Sequence, residues 1–184
     1  MADPAYFRGV VVRNPLTRAL SAWKDKFALD GPHVKFWGHT PWDQFVSQKL
    51  GSGCDKDEHW VLQSCYCGMR KYTYEHVAHM DALETAPNSM RNMVQKMVAS
   101  GHIASSFVDS GWGKDGQEAF LQTNTVFHAT GASNNAKVAK AYSPRNNPGV
   151  LEKVLPLFAE DIVRFGYEAD VDGMVAEILA APDE

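Results

Sequence analysis

An arginine and a serine eight positions apart, Arg13 and Ser21, are the side chains of this sequence best suited to hold a phosphate. A guanidinium presents a planar fork of donors and a hydroxyl adds another, so the pair can satisfy several phosphate oxygens at once. The stretch from Arg8 to Phe27 must position them. Val10, Val11 and Val12 form a β-branched apolar run, too short for a helix and typical of a strand covered on both faces. Pro15 suits the first turn of a helix, where its missing N–H has no intrahelical partner to lose. From there Leu16, Leu20, Trp23 and Phe27 recur on one helix face, and Arg18, Ser21 and Lys24 fall outside that stripe. In open α/β sheets the carboxyl ends of strands open onto the crevice where ligands bind, so Arg13 stands where an anion would be received.

Other reactive side chains make weaker groupings. His59 beside Trp60 has the chemistry of a general base, with an ordinary pKa near 6.5, although such a residue is more often a packed, hydrogen-bonded structural histidine. His33, His39, His76, His79, His102 and His128 have no partner spacing that singles one out. Cys54, Cys65 and Cys67 are odd in number, so the chain itself can close at most one disulfide. Zinc binding by Cys54, His59, Cys65 and Cys67 is disfavoured, because a one-residue gap is not the usual chelate spacing and no second pair follows; no metal is expected. Gly111 to Gly116 contains Gly and Lys but lacks a preceding apolar strand and the spacing of a phosphate-binding loop.

A chain of 184 residues suits one domain with a sizeable core. The net charge of −4 is unevenly spread, with six Lys or Arg against three Asp in residues 1–40, and two against nine acidic residues in 150–184. The basic end coincides with Arg13 and Ser21, and the acidic end reads as a solvated face. No clustered excess of Lys and Arg marks a nucleic-acid footprint, and no apolar run is long enough to span a bilayer.

Further elements follow from pattern. Asp30-Gly31-Pro32 ends the first helix, and His33 to His39 reads as an aromatic-rich loop. Thr40 as N-cap and Pro41 at the first helical position predict a helix that buries Trp42, Phe45, Val46 and Leu50. Tyr72 to Tyr74 with His76 and Val77 suggest a strand turning into a polar helix, and residues 85–100 a helix with a methionine-rich stripe closed by Gly101. Phe120 to Phe127 could form a strand, and His128 to Asn135 reads as a small-residue loop. Leu151, Leu155, Phe158, Ile162 and Phe165 make the inward stripe of a helix that Pro156 should kink or split and Gly166 should cap. Val171 to Ala180 predicts a terminal helix with Asp170 as N-cap.

Three ordered blocks of this chain resemble the membrane-bound carbohydrate sulfotransferases, in the manner of sulfotransferase family 2. The first is Arg13-Asn14-Pro15 with Ser21 and Trp23, where Trp23 stands in place of the usual Tyr. The second is His59-Trp60 with Cys65, then Tyr74, Val77, Met80 and Leu83, with Glu75 and Asp81 as acid-for-acid exchanges and His76 and Ala78 as departures. The third is Asp161-Ile162-Val163-Arg164-Phe165-Gly166-Tyr167. The resemblance implies an α/β chain with a partial sulfotransferase fold, P-loop-like, with a short parallel sheet core and a mostly helical remainder. It implies that Arg13 and Ser21 hold the 3′-phosphate of 3′-phosphoadenosine-5′-phosphosulfate, and that the sulfuryl group goes to a hydroxyl of a carbohydrate or glycan acceptor. The catalytic base is not identified. A Golgi, lumenal location is implied, with membrane attachment only through an N-terminal anchor that the sequence lacks. The family also places a Lys-containing loop ahead of the 3′-phosphate strand. The sequence before Gly9 is too short to hold that loop, so residues 1–184 read as a single, N-terminally truncated domain with weak donor binding and little or no catalysis. The competing reading is a non-catalytic truncated paralogue that serves as an interaction module.

Overall fold

The computed structural model describes residues 6–51, 53–66, 68–81, 86–106 and 135–180. The expectations for Cys67, Leu83, Gly111 to Gly116, Phe120 to Phe127 and the loop from His128 lie outside those residues. In chain order the described elements are β1 (Gly9–Val12), α1 (Pro15–Lys26), α2 (Val34–Trp37), α3 (Trp42–Gln48), a 3-10 turn (Gln63–Cys65) and β2 (His76–His79). There follow α4 (Met90–Ala99), α5 (Asn135–Tyr142), α6 (Val150–Phe165) and α7 (Glu168–Ala180). They divide into two compact units, one built from the chain up to Arg13 and from Lys71 onward through α4, the other from Asn14 to Arg70 and from α5 to α7.

The first unit is organised by β1 and β2, which pair in parallel with Val10 opposite Val77 and Val12 opposite His79. The Met80 N–H donates to the Val12 carbonyl and extends the pairing past the end of both strands. Val12 and Ala78 are buried, whereas Val11 is exposed, so the valine run is not covered on both faces as expected. Successive residues of a strand face opposite sides, so Val12 turns inward while Val11 faces outward. The second strand also begins later than the pattern suggests. Tyr72 lies outside it, with the Arg8 guanidinium 5.6 Å from the centre of its ring.

Ser89 caps α4 by accepting from the Asn92 N–H at 3.1 Å, which starts the helix at Met90 rather than at 85. Gly101, with φ of 76°, lies beyond its end. Gly9 permits the close approach of α4 to β1, because a Cβ there would stand 2.8 Å from the Met93 sulfur. Among the methionine-stripe residues, Met93 and Val94 are the buried ones.

The second unit packs α1, α3 and α6 around an aromatic core. Leu16, Leu20 and Phe27 meet Trp42, Phe45 and Val46, with Val154 and Phe158 also buried. Phe45 stacks on Trp42 at 5.7 Å and lies 5.3 Å from Phe27 and 5.6 Å from Trp60. Each large apolar side chain so buried contributes about 1.5–3 kcal/mol. The Tyr142 hydroxyl donates to the Leu16 carbonyl at 2.9 Å, and complete burial pushes its pKa far up. Several boundaries differ from the pattern-based reading. Pro41 is itself the N-cap of α3, and the aromatic loop contains the short helix α2. Asp170 lies inside α7, and α6 continues through Pro156 without being split. The left-handed Gly166, at φ 72°, closes α6 as expected.

His76 gives the first unit a pH dependence. It is buried on β2, and its Nδ1 accepts from Lys96 Nζ at 3.0 Å. Burial, then the Lys96 charge, hold its pKa below the ordinary 6.5, against a smaller opposing contribution from a Ser89 backbone hydrogen bond. The unfolded chain therefore binds the proton more readily, so this histidine's contribution is complete above pH 6.5 and is lost as the pH falls through the lowered folded value. Hydrogen-exchange protection of the Val77 and Ala78 amides should hold from pH 8 to about 6.5 and decline below it. His76→Gln, which keeps an acceptor for Lys96 but does not titrate, should flatten that decline.

Candidate functional site

The turn from strand to helix is locally determined. Arg13 directly follows β1 and is half-buried. Asn14 then caps α1, its Oδ1 accepting from the N–H groups of Leu16 at 3.0 Å and Thr17 at 3.4 Å. The Asn14 carbonyl accepts from the Thr17 hydroxyl at 3.0 Å and from the Arg18 N–H at 2.9 Å. Pro15 has no N–H to offer. The first-turn donors are therefore engaged by Asn14 itself, and an anion at this helix start would be met by side chains and the positive end of the helix dipole.

Ser21 lies half-buried two turns along α1, on the ridge shared with Thr17, Arg18 and Lys24. Burial and then the charge of Lys137 lower the Lys24 pKa, and Asp30 only partly opposes them. Of the two residues expected to bind phosphate, Arg13 ends the strand-bearing unit and Ser21 belongs to the helical one.

Arg18 has a role that the sequence did not disclose. Its guanidinium donates to the Val61 carbonyl at 2.6 Å and to the Glu58 carbonyl at 2.9 Å, and reaches the Tyr66 hydroxyl at 3.4 Å. The two carbonyls flank His59 and Trp60, so one planar fork fixes both sides of that dipeptide. Asp161 of α6 acts from the other end. It is wholly buried, and its two carboxylate oxygens accept from the Gln63 N–H at 2.6 Å and the Ser64 N–H at 2.9 Å. The Cys54–Cys65 disulfide closes the same loop and takes up two of the thiols considered for zinc. Among the described residues no cluster of His, Cys, Asp or Glu could hold a metal ion.

Within this frame Trp60 is buried and His59 is half-exposed. His59 Nδ1 pairs with Asp57 Oδ1 at 2.6 Å, and the His59 backbone N–H donates to the same oxygen at 2.9 Å. Burial raises the Asp57 pKa, but the two hydrogen bonds from His59 outweigh it and hold the carboxyl below its ordinary value. An ionised Asp57 keeps the imidazole proton on Nδ1 and leaves Nε2 as an acceptor. The signal for Asp161 was present in the sequence: it falls on the apolar stripe, three residues after Phe158 and four before Phe165. A carboxylate on such a face needs donors.

A short parallel sheet leading into an Asn-capped helix, with a mostly helical remainder among the described residues, makes this an α/β protein. A model of the sulfotransferase family matches residues 1–168, and the chain belongs to that family. The described elements agree with a partial α/β sulfotransferase fold. No curated protein and no solved structure matches the chain. The family's chemistry is sulfuryl transfer, which requires a phosphosulfate donor and an acceptor. No helix among the described residues is long and apolar enough to cross a membrane.

Two substitutions test the frame. Asp161→Ala strands two buried N–H groups and should cost about 2–4 kcal/mol in chemical denaturation, and Asp161→Asn, which keeps one acceptor, should cost less. Arg18→Lys cannot bridge two carbonyls with a planar fork. It should broaden or shift the His59 and Trp60 side-chain NMR signals while leaving the far-ultraviolet circular dichroism unchanged.

Proposed function

We propose that this protein moves a sulfuryl group from 3′-phosphoadenosine-5′-phosphosulfate to a carbohydrate hydroxyl, with Arg13 and Ser21 holding the donor's 3′-phosphate. The observation that carries this reading is the family match over residues 1–168, which includes Arg13-Asn14-Pro15 and Ser21 as a strand end and a capped helix. The lysines along α1 add fixed positive charge beside Ser21.

In such a transfer the acceptor oxygen attacks sulfur in line with the departing phosphate, through a loose state whose charge is spread over the equatorial oxygens. By analogy with phosphoryl transfer, positioning and fixed positive charge supply most of the catalysis. Arg13 and Ser21 would anchor the donor away from the reacting atoms, so their contribution is to orientation. On this reading the setting is the Golgi lumen, and the Cys54–Cys65 disulfide suits an oxidising compartment.

Titration calorimetry with adenosine 3′,5′-bisphosphate tests the assignment. Arg13→Ala removes a charge-assisted contact and should weaken binding about ten- to a hundredfold, whereas Ser21→Ala should cost about tenfold or less. An affinity that Arg13→Ala leaves unchanged would overturn the role given to that residue.

A further inference from the structure

Beside the Asp57–His59 pair stands an aromatic platform that the fold does not need for its core. Phe36, on α2, is 85% exposed, and Trp37 next to it is 43% exposed. Trp37 is held rigidly from beneath, edge-on to Phe27 at 5.8 Å and to Trp60 at 5.7 Å, and its ring centre lies 6.4 Å from that of His59. Gly38, left-handed at φ 77°, ends α2 immediately afterwards. A Phe and a Trp kept in water on a single helical turn, against a wall of buried aromatic rings, form a small rigid apolar surface rather than a loose loop. Its neighbour is a hydrogen-bond acceptor. His59 Nδ1 is committed to Asp57 Oδ1 at 2.6 Å, which leaves Nε2 as the ring nitrogen able to accept.

A pyranose ring has this combination of needs. Its axial C–H groups carry partial positive charge and rest on the negative face of an aromatic ring, and its hydroxyls seek acceptors at the rim. Phosphate or a peptide carboxylate would be repelled by the ionised Asp57 carboxylate beside the platform. A lipid surface would meet the ionised Asp57 carboxylate, which is costly to desolvate.

We infer that Phe36, Trp37 and the Asp57–His59 pair form the acceptor subsite, in which a pyranose stacks on the two aromatic rings and one of its hydroxyls donates to His59 Nε2. This rests on the transferase reading above and names the surface that reading lacks. In the reaction the acceptor O–S bond forms and the S–O bond to the donor's 5′-phosphate breaks. The electron pair stays on the phosphate oxygen of the departing adenosine 3′,5′-bisphosphate. The hydroxyl proton passes to His59 Nε2 and from there to solvent, with Asp57 stabilising the imidazolium.

The test is retention of the full chain on an array of unsulfated neutral and uronate-bearing oligosaccharides, run beside calorimetry with adenosine 3′,5′-bisphosphate. Wild type should be retained on one of the two sets, and which set is retained distinguishes a neutral acceptor from an acidic one. Phe36→Ser alters a side chain almost wholly in solvent, so it should fold normally and lose at least tenfold in retention. Trp37→Ala should lose more. His59→Gln should keep most of the retention, because stacking survives, but lose the ring-nitrogen NMR shift that the sugar induces in wild type. A blank array, or retention indifferent to Phe36→Ser and Trp37→Ala, overturns the subsite and leaves the donor reading standing if the bisphosphate still binds. Concentration-dependent dimers abolished by Phe36→Ser would also overturn it, since a second copy would then occupy the platform. Absence of bisphosphate binding with sugar retention intact would instead remove the transferase reading.

Discussion

A carboxylate with no water around it must be matched by donors, and Asp161 meets that requirement with two backbone N–H groups from a distant part of the chain. The bond is structural in both directions. It makes an acid tolerable on the inward face of α6, and it fixes the 3-10 turn at Gln63 and Ser64, whose N–H groups have no strand or long helix to serve them. The segment between α3 and β2 holds little regular secondary structure, so its shape is set by such tethers rather than by a ladder of repeated bonds.

The other tethers have different chemistry and act at different points. Arg18 grips the carbonyls on either side of His59 and Trp60, the disulfide joins Cys54 to Cys65, and Arg70 forms a two-pronged pair with Glu160 through Nε at 3.0 Å and a second nitrogen at 2.6 Å. Arg70 is solvent-exposed, and an exposed ion pair adds little to stability, so this last one serves mainly as geometry. The Asp161 tether differs, because breaking it strands backbone N–H groups that water cannot reach. The consequence is a loop rigid enough to present His59 and the rings around it in one arrangement.

Much of this was legible in the sequence, and the parts that were not share a cause. The start of α1 at Pro15, the core residues of α3 and the glycine stop of α6 all follow from local spacing and side-chain chemistry, and the structure has them where the pattern puts them. The strand pairing of β1 with β2, across more than sixty residues, came from no local signal, and neither did the exposure of Val11. Arg18 was seen as a residue outside the helix stripe, because carbonyl acceptors forty residues away leave no trace in spacing. Trp23 is instructive in a different way. Its substitution for the Tyr usual in similar chains suggests a lost polar contact, yet its indole N–H donates to the Thr40 carbonyl at 2.8 Å, so a polar handle is kept in a different form.

The same accounting of donors bears on how this helix start could treat an anion. Where a phosphate is cradled by backbone N–H groups, the empty site leaves those donors to water, and helix and ligand stabilise one another. Here Asn14 already occupies the N–H groups of Leu16 and Thr17, and its carbonyl occupies that of Arg18. The start of α1 is thus complete without a ligand. What remains for an anion is charge: the helix dipole, worth roughly half an elementary charge, and the cationic side chains near it. Recognition of this kind depends more on ionic strength than a cradle of backbone donors does, because exposed charges are screened by salt whereas short neutral hydrogen bonds are not.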